Sequence, residues 1–135
     1  MPHAIVHFNP DLVRQEEVDE LKSLLPGMLS RALNRGCQTS TYHTPANHVY
    51  AGQFASHPTD RNASPFEIVI DAGLVRWRNP EEVWNTIEIE ITASGILERM
   101  SKRMWEDPEN QPYVWIRFVD ANFGKRLPAP KPELG

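Results

Sequence analysis

The chain has 135 residues, 40% of them hydrophobic and 24% charged, with a formal net charge of -4. This is enough chain for one domain with a real core, and such ordinary globular usage excludes disorder, collagen-like repetition and coiled coil as readings of the whole. Lys and Arg number 14 against 18 Asp and Glu, and no basic run exceeds Lys125-Arg126, so the phosphate-neutralising stripe of a nucleic-acid partner is missing.

Residues 3 to 8, His-Ala-Ile-Val-His-Phe, form a β-branched and aromatic run closed by Asn9-Pro10, which predicts a strand ending at a turn. From there to Asn34-Arg35-Gly36, Val18, Leu21, Leu25, Met28, Leu29 and Ala32 recur at the spacing of one helix face. Gly36 is a C-terminal stop signal. Pro26 removes a hydrogen bond inside that pattern, which predicts a kink or break there. Gln38 to Thr44 is a weaker strand candidate, and His48 to Phe54 another short one.

Ala55 to Ser64 is polar and carries Pro58 and Asn62, hence a loop, and Phe66 to Ile70 is the next strand. Asn79-Pro80-Glu81-Glu82 combines a polar cap, a first-turn proline and first-turn carboxylates, the signature of a helix start. Ile87-Glu88-Ile89-Glu90-Ile91 alternates like a strand, yet Val83, Trp84, Ile87, Ile91 and Ser94 keep helical spacing. Length and the cap decide for helix. Tyr113 to Val119 is the last strand, followed by the extended Leu127-Pro-Ala-Pro-Lys-Pro132, which can form no ladder.

The chain also echoes itself. Pro2-x-x-Ile5-Val6 leads through Asn9-Pro10-Asp11 to a helix, and Pro65-x-x-Ile68-Val69 leads through Asn79-Pro80-Glu81 to another. The expected architecture is α/β: a single domain over 1–135 with two βαβ repeats, about 2–54 and 65–120, and a Pro-rich tail over 121–135. Right-handed crossovers place both helices on one face of a four-stranded sheet. The strands at 66–70 and 114–119 are apolar on both sides, so the other face also needs cover, which implies an oligomer.

Chemistry centres on Pro2. Removal of the initiator Met before a small residue leaves a secondary amine at the head of a strand, and apolar surroundings with nearby cations bring such an amine toward neutral pKa, where it works as a base or acid. Arg76 and Arg78 follow the third strand and precede the second helix, so two guanidinium groups and free helix amides gather at one sheet end, suited to a carboxylate. A solvated turn with Trp77 packed beneath is the plainer reading of either arginine alone.

The remaining reactive residues carry less. His3 and His7 stand roughly 13 Å apart along a strand, too far to share a metal ion, and His43, His48 and His57 show no ligand spacing. Cys37 is alone, so no internal bridge or Cys-based zinc site is expected, and it reads as a packing residue. There is no Gly-rich phosphate loop. The start carries no basic segment before an apolar stretch, and nowhere do 18 apolar residues run together, so a cytoplasmic protein without a membrane partner is expected.

Two βαβ repeats opening Pro2-His3-Ala4-Ile5-Val6, with Arg76-x-Arg78 before an acidic helix start, resemble the tautomerase superfamily, whose members use an amino-terminal proline. The opening is similar to that of 5-carboxymethyl-2-hydroxymuconate isomerases. Tyr42-His43-Thr44-Pro45-Ala46-Asn47-His48-Val49-Tyr50, Arg76-Trp77-Arg78, Trp115-Ile116-Arg117-Phe118 and Phe123-Gly124-Lys125-Arg126-Leu127-Pro128 are closer to malonate semialdehyde decarboxylase and cis-3-chloroacrylic acid dehalogenase. The resemblance implies a mixed sheet, a homotrimer, no cofactor and no metal. It implies Pro2 as the catalytic residue, with Arg76, Arg78 and Arg117, and beside them Tyr42, His43 and Asn122, facing a small carboxylate substrate.

The departures are specific. The decarboxylase aspartate falls at Arg35-Gly36, the dehalogenase tyrosine at Arg117 and its glutamate around Asn122. What survives is the minimum for enol to keto proton transfer, an amine base and cations that stabilise an enolate. The expected function is therefore a cofactor-free tautomerase acting on a small 2-oxo or enol acid. The alternatives are a related decarboxylase, hydratase or dehalogenase acting on a three-carbon acid, and a non-catalytic binding relative.

Overall fold

Alternation along four β-branched and aromatic segments builds the sheet, and two stretches of helical periodicity cover it. The computed structural model describes residues 2–37, 43–60, 64–100, 102–108, 111–119 and Leu127. Its elements are β1 (His3–Phe8), α1 (Gln15–Asn34), β2 (Tyr50–Ala55), β3 (Phe66–Gly73), α2 (Pro80–Ser94), α3 (Ile96–Arg99) and β4 (Tyr113–Val119). Short 3-10 turns lie at Ala46–His48, Pro58–Asp60 and Lys102–Trp105.

The four strands form one mixed sheet in the order β2-β1-β3-β4. β1 and β2 are parallel, β3 and β4 are parallel, and the antiparallel pair β1 and β3 joins the two βαβ units at the centre. Ala4, Val6 and Phe8 of β1 and Phe66, Ile68, Ile70 and Ala72 of β3 are buried on one face. α1 and α2 pack there side by side, α1 against β1 and β2 and α2 against β4. The expected α/β architecture, with a four-stranded mixed sheet and both helices on one face, is the one observed. No helix of the described residues is long and apolar enough to cross a membrane.

α1 runs through Pro26 as a single helix of 20 residues, so the expected break does not occur. A proline inside a helix costs about 3 kcal/mol relative to alanine, whereas each fully buried Leu or Met contributes about 1.5–3 kcal/mol. Leu21 and Leu25 before Pro26, and Met28, Leu29 and Leu33 after it, are all buried; any three of them outweigh the penalty. The helix starts where the buried carboxylate of Glu17 accepts the Arg14 backbone N–H at 2.9 Å, and the chain leaves it through Gly36 at φ 81.

α2 forms where the alternating Ile-Glu run allowed a strand. Asn79 Oδ1 accepts from the Glu81 and Glu82 N–H groups, and Val83, Ile87 and Ile91 face the core while Ile89 is 64% exposed. Cap and helical period therefore outweigh alternation. Gly95, left-handed at φ 72, ends α2 and turns the chain into α3. α3 and the turn after it were not legible in advance, although Ile96, Met100 and Met104 from this segment complete the core.

β2 begins at Tyr50, two residues later than expected, because Ala46–His48 forms a 3-10 turn. The weaker strand at Gln38 to Thr44 falls mostly outside the described residues, and its last two, His43 and Thr44, are irregular. The Pro-rich tail also lies outside them except for Leu127. A direct consequence concerns Pro26. Pro26→Ala restores the N–H to the Lys22 carbonyl and should raise unfolding free energy by about 1–3 kcal/mol in urea titration. A loss of stability would show that packing of the half-buried ring outweighs the missing hydrogen bond.

Candidate active site at the Pro2 end of the sheet

Topology collects six chain ends at one edge of the molecule. β1 and β2 begin there and β3 and β4 end there, while α1 stops and α2 starts above them. Pro2 is half-buried at this end and its carbonyl accepts the Tyr50 N–H at 3.0 Å, which fixes the residue to the head of β2. The next residue, His3, stands opposite Tyr50 on one side and Asp71 on the other.

Arg76 and Arg78 occupy the turn between β3 and α2, at the same end. Their environments differ. Arg76 is exposed and makes no hydrogen bond or ion pair to the described residues. Arg78 is half-buried: its Nε donates to the Leu33 carbonyl at 3.2 Å, Nη1 to the Gly73 carbonyl at 2.9 Å and Nη2 to Thr44 Oγ1 at 3.1 Å. Burial lowers the Arg78 pKa from its ordinary value, opposed by the nearby Cys37; a guanidinium stays protonated at working pH regardless. Three of the five N–H donors of a guanidinium are thus occupied, leaving two for a ligand.

Thr44 is itself fixed to the end of α1. Its N–H donates to Asn34 Oδ1 at 2.7 Å, and Asn34 Nδ2 donates to the Thr44 carbonyl at 2.7 Å. Arg78 therefore ties the end of α1, the end of β3 and the approach to β2 into one network. The expectation of free helix amides at this place is corrected. Pro80 has no N–H, the Glu81 and Glu82 amides bond Asn79 Oδ1, and the Val83 amide bonds the Asn79 carbonyl. The first turn of α2 has no amide left for an anion.

Arg117 lies on the helix-free face of β4. Its Nε and Nη2 bond the two carboxylate oxygens of Asp71 at 2.7 and 2.9 Å, and this bidentate contact raises the Arg117 pKa further. Strand register sets Tyr50, His3, Asp71 and Arg117 in one row across four strands. Arg117 is then two strands from β1, about 10 Å at the usual strand spacing. His3 and Tyr50 meet edge to face with ring centroids 5.9 Å apart.

Of the sequence candidates, Pro2, Arg76, Arg78 and the exposed His43 share the same end, and Arg117 stands in the adjacent row. Tyr42 and Asn122 lie outside the described residues. Asp71, Thr44 and Asn34 were not singled out from the sequence. Asp71 was signalled by a carboxylate interrupting the apolar strand at 66–73, whereas nothing local marks the Asn34–Thr44 pair. Among the described residues, no group of three His, Cys, Asp or Glu side chains is placed to hold a metal ion.

No family model matches the sequence, and no curated protein matches it. Solved structures do match in fold. 5-Carboxymethyl-2-hydroxymuconate delta-isomerase is 13% identical with a TM-score of 0.54, over 92% of this chain and 89% of that one. A fused 4-OT solved as an asymmetric trimer is 15% identical with a TM-score of 0.53, over 92% and 94%. The chain has the tautomerase fold. A third structure of this fold, Pt0534 inactivated by 2-oxo-3-pentynoate, is 14% identical with a TM-score of 0.52, over 92% and 89%.

Within that fold, the two arginines of the turn are separable by stability. Arg78→Ala leaves the Leu33 and Gly73 carbonyls and the Thr44 hydroxyl without their charged donor, so it should cost about 2–3 kcal/mol in denaturant unfolding. Arg76→Ala should stay within about 0.5 kcal/mol of the parent, as for a surface change away from packed features. Equal losses would mean that Arg78 is not a structural tie.

Proposed function

We propose that the chain is a tautomerase in which the Pro2 amine, freed by removal of Met1, moves a proton within a small 2-oxo or enol carboxylic acid. The observation that carries this reading is the placement of Pro2, at the head of β1 and at the same sheet end as the turn bearing Arg76 and Arg78. The tautomerase fold supports it.

The chemistry needs few groups. The secondary amine takes a proton from the enol hydroxyl or from the carbon beside the carbonyl, and the electron pair passes into an enolate. The ammonium then returns that proton to the other terminus of the conjugated system, so the amine ends as it began. Arg76, exposed and without a protein partner among the described residues, supplies a cation for the substrate carboxylate or the enolate oxygen. Arg78 offers its two remaining donors from a fixed position. Both cations also favour the neutral amine and so hold the Pro2 pKa down. No step calls on a cofactor or a metal.

The helix-free face supports assembly. Tyr50, Phe54 and Val119 are exposed on it, beside Ile5 and Val69, and an apolar surface of this kind marks an interface. We assign it to packing between three copies, as in the fused 4-OT trimer. Sedimentation should therefore give the mass of three chains, and Phe54→Asp, which alters an exposed side chain, should release folded monomers. A parent that sediments as a monomer overturns the assembly.

Two measurements test the amine. Pro2→Ala substitutes a primary amine of different basicity and position, and turnover on phenylenolpyruvate or 2-hydroxymuconate should fall by about 10² to 10⁴. Treatment with 2-oxo-3-pentynoate should join the Pro2 nitrogen to the alkyne carbon distal to the carbonyl, the amine proton passing to the adjacent carbon. Peptide mass spectrometry then finds one reagent on Pro2 and none where Met1 is retained. Full activity in Pro2→Ala, or turnover by chains retaining Met1, would remove Pro2 from the mechanism.

A further inference from the structure

The second feature of the molecule lies away from Pro2. A groove of about 570 Å³ opens between α2 and β4, lined by Trp84, Trp105, Tyr113 and Trp115, with Ile91 at its base and the exposed carboxylate of Glu88 at its side. The four aromatic side chains are each more than a third exposed, and the rings of Tyr113 and Trp115 stack tilted with centroids 4.7 Å apart. β4 is an edge strand of the sheet, so the groove borders backbone groups that no strand among the described residues covers. Such a surface needs an occupant.

We infer that the occupant is the Leu127–Pro132 segment of a second copy of this chain. The segment reads Leu-Pro-Ala-Pro-Lys-Pro, and its alternate prolines lack the donors for adding a strand to β4. Fixed φ angles instead favour a polyproline II helix, the conformation that aromatic-lined grooves bind because it enters the complex with little order left to lose. Tryptophan indole N–H groups suit the carbonyls which that helix leaves unbonded. Charge agrees as well, since Lys131 follows Pro130 in the segment and Glu88 flanks the groove.

Geometry selects a second copy over the chain's own tail. β4 ends at Val119, whereas the groove reaches to Tyr113 and Phe66 at the opposite end of the strands. Six residues of strand separate the two ends, about 20 Å, so a chain's own tail would have to reverse along β4 to reach its own groove. Leu127 is 88% exposed in the single chain, so the first apolar residue of the segment is unseated. Exchange of a terminal segment between identical copies buries that residue and the groove at once. The inference is independent of the chemistry at Pro2.

A photo-crosslinking residue at position 129 of the full chain tests it. Ordinary and heavy-isotope-labelled chains are unfolded and refolded together, irradiated and mapped by peptide mass spectrometry. Crosslinks should join position 129 to Trp84, Trp105, Tyr113 or Trp115, and should include pairs of mixed isotope. Glu88→Lys, an exposed change that spares the core, should lower their yield several-fold. Crosslinks confined to one isotope place the tail on its own chain, and crosslinks outside the groove place it elsewhere; either result, or an unchanged yield in Glu88→Lys, overturns the proposal.

Discussion

The antiparallel pairing of β1 with β3 is the constraint from which the remaining geometry follows. Ala4 stands opposite Ile70, Val6 opposite Ile68 and Phe8 opposite Phe66, all six buried under the two helices. A slip of one residue would turn that set onto the open face, so burial locks the register. Once it is locked, His3 must face Asp71, and Pro2 must lie beside the start of the β3–α2 turn. The core packing of the sheet and the position of the candidate base are therefore one fact. Parallel pairing on either side then carries the row outward to Tyr50 and Arg117.

The same turn shows how two chemically identical residues acquire different duties. Arg76 and Arg78 sit two apart, and the sequence offers no ground for distinguishing them. Arg78 is the one whose position lets it reach backbone carbonyls at the ends of α1 and β3. Carbonyls at the last turn of a helix lack intrahelical partners, and a guanidinium is well suited to them. A single charged side chain thus closes a helix end and anchors the loop before β2. Arg76, on the strand side of Trp77, is exposed to solvent.

What could be read in advance was what depends on local pattern. β-Branched and aromatic runs located β1, β3 and β4, the helical spacing of Val18 through Ala32 located α1, and the Asn79-Pro80 cap located α2. The break allowed for at Pro26 does not occur because a local rule assigns the residue a fixed penalty, while the compensation comes from Leu21, Leu25, Met28 and Leu29 packing on other elements. The supposed free amides of α2 failed for a different reason. Asn79 was identified as a cap, yet a cap satisfies the donors that an anion would need. Asp71 and the Asn34–Thr44 pair escaped because their meaning lies in partners 46 and 10 residues away along the chain.

The Asp71–Arg117 pair bears on both the open face and the chemistry. In the proposed assembly this face leaves water, and a lone guanidinium there would be expensive to cover. Asp71, bidentate to Arg117, supplies a compensating charge at fixed geometry, and the pair strengthens as the surrounding dielectric falls. The same bond limits what Arg117 can do for a substrate. A carboxylate approaching it must either displace Asp71, at the cost of leaving that anion unpaired, or use the Nη1 donors that Asp71 does not occupy. Arg76 faces neither choice. In the proposed function, anion binding near Pro2 thus falls first to the arginine of the turn, and Arg117 serves the face assigned to packing between copies unless a ligand can outcompete an oriented carboxylate.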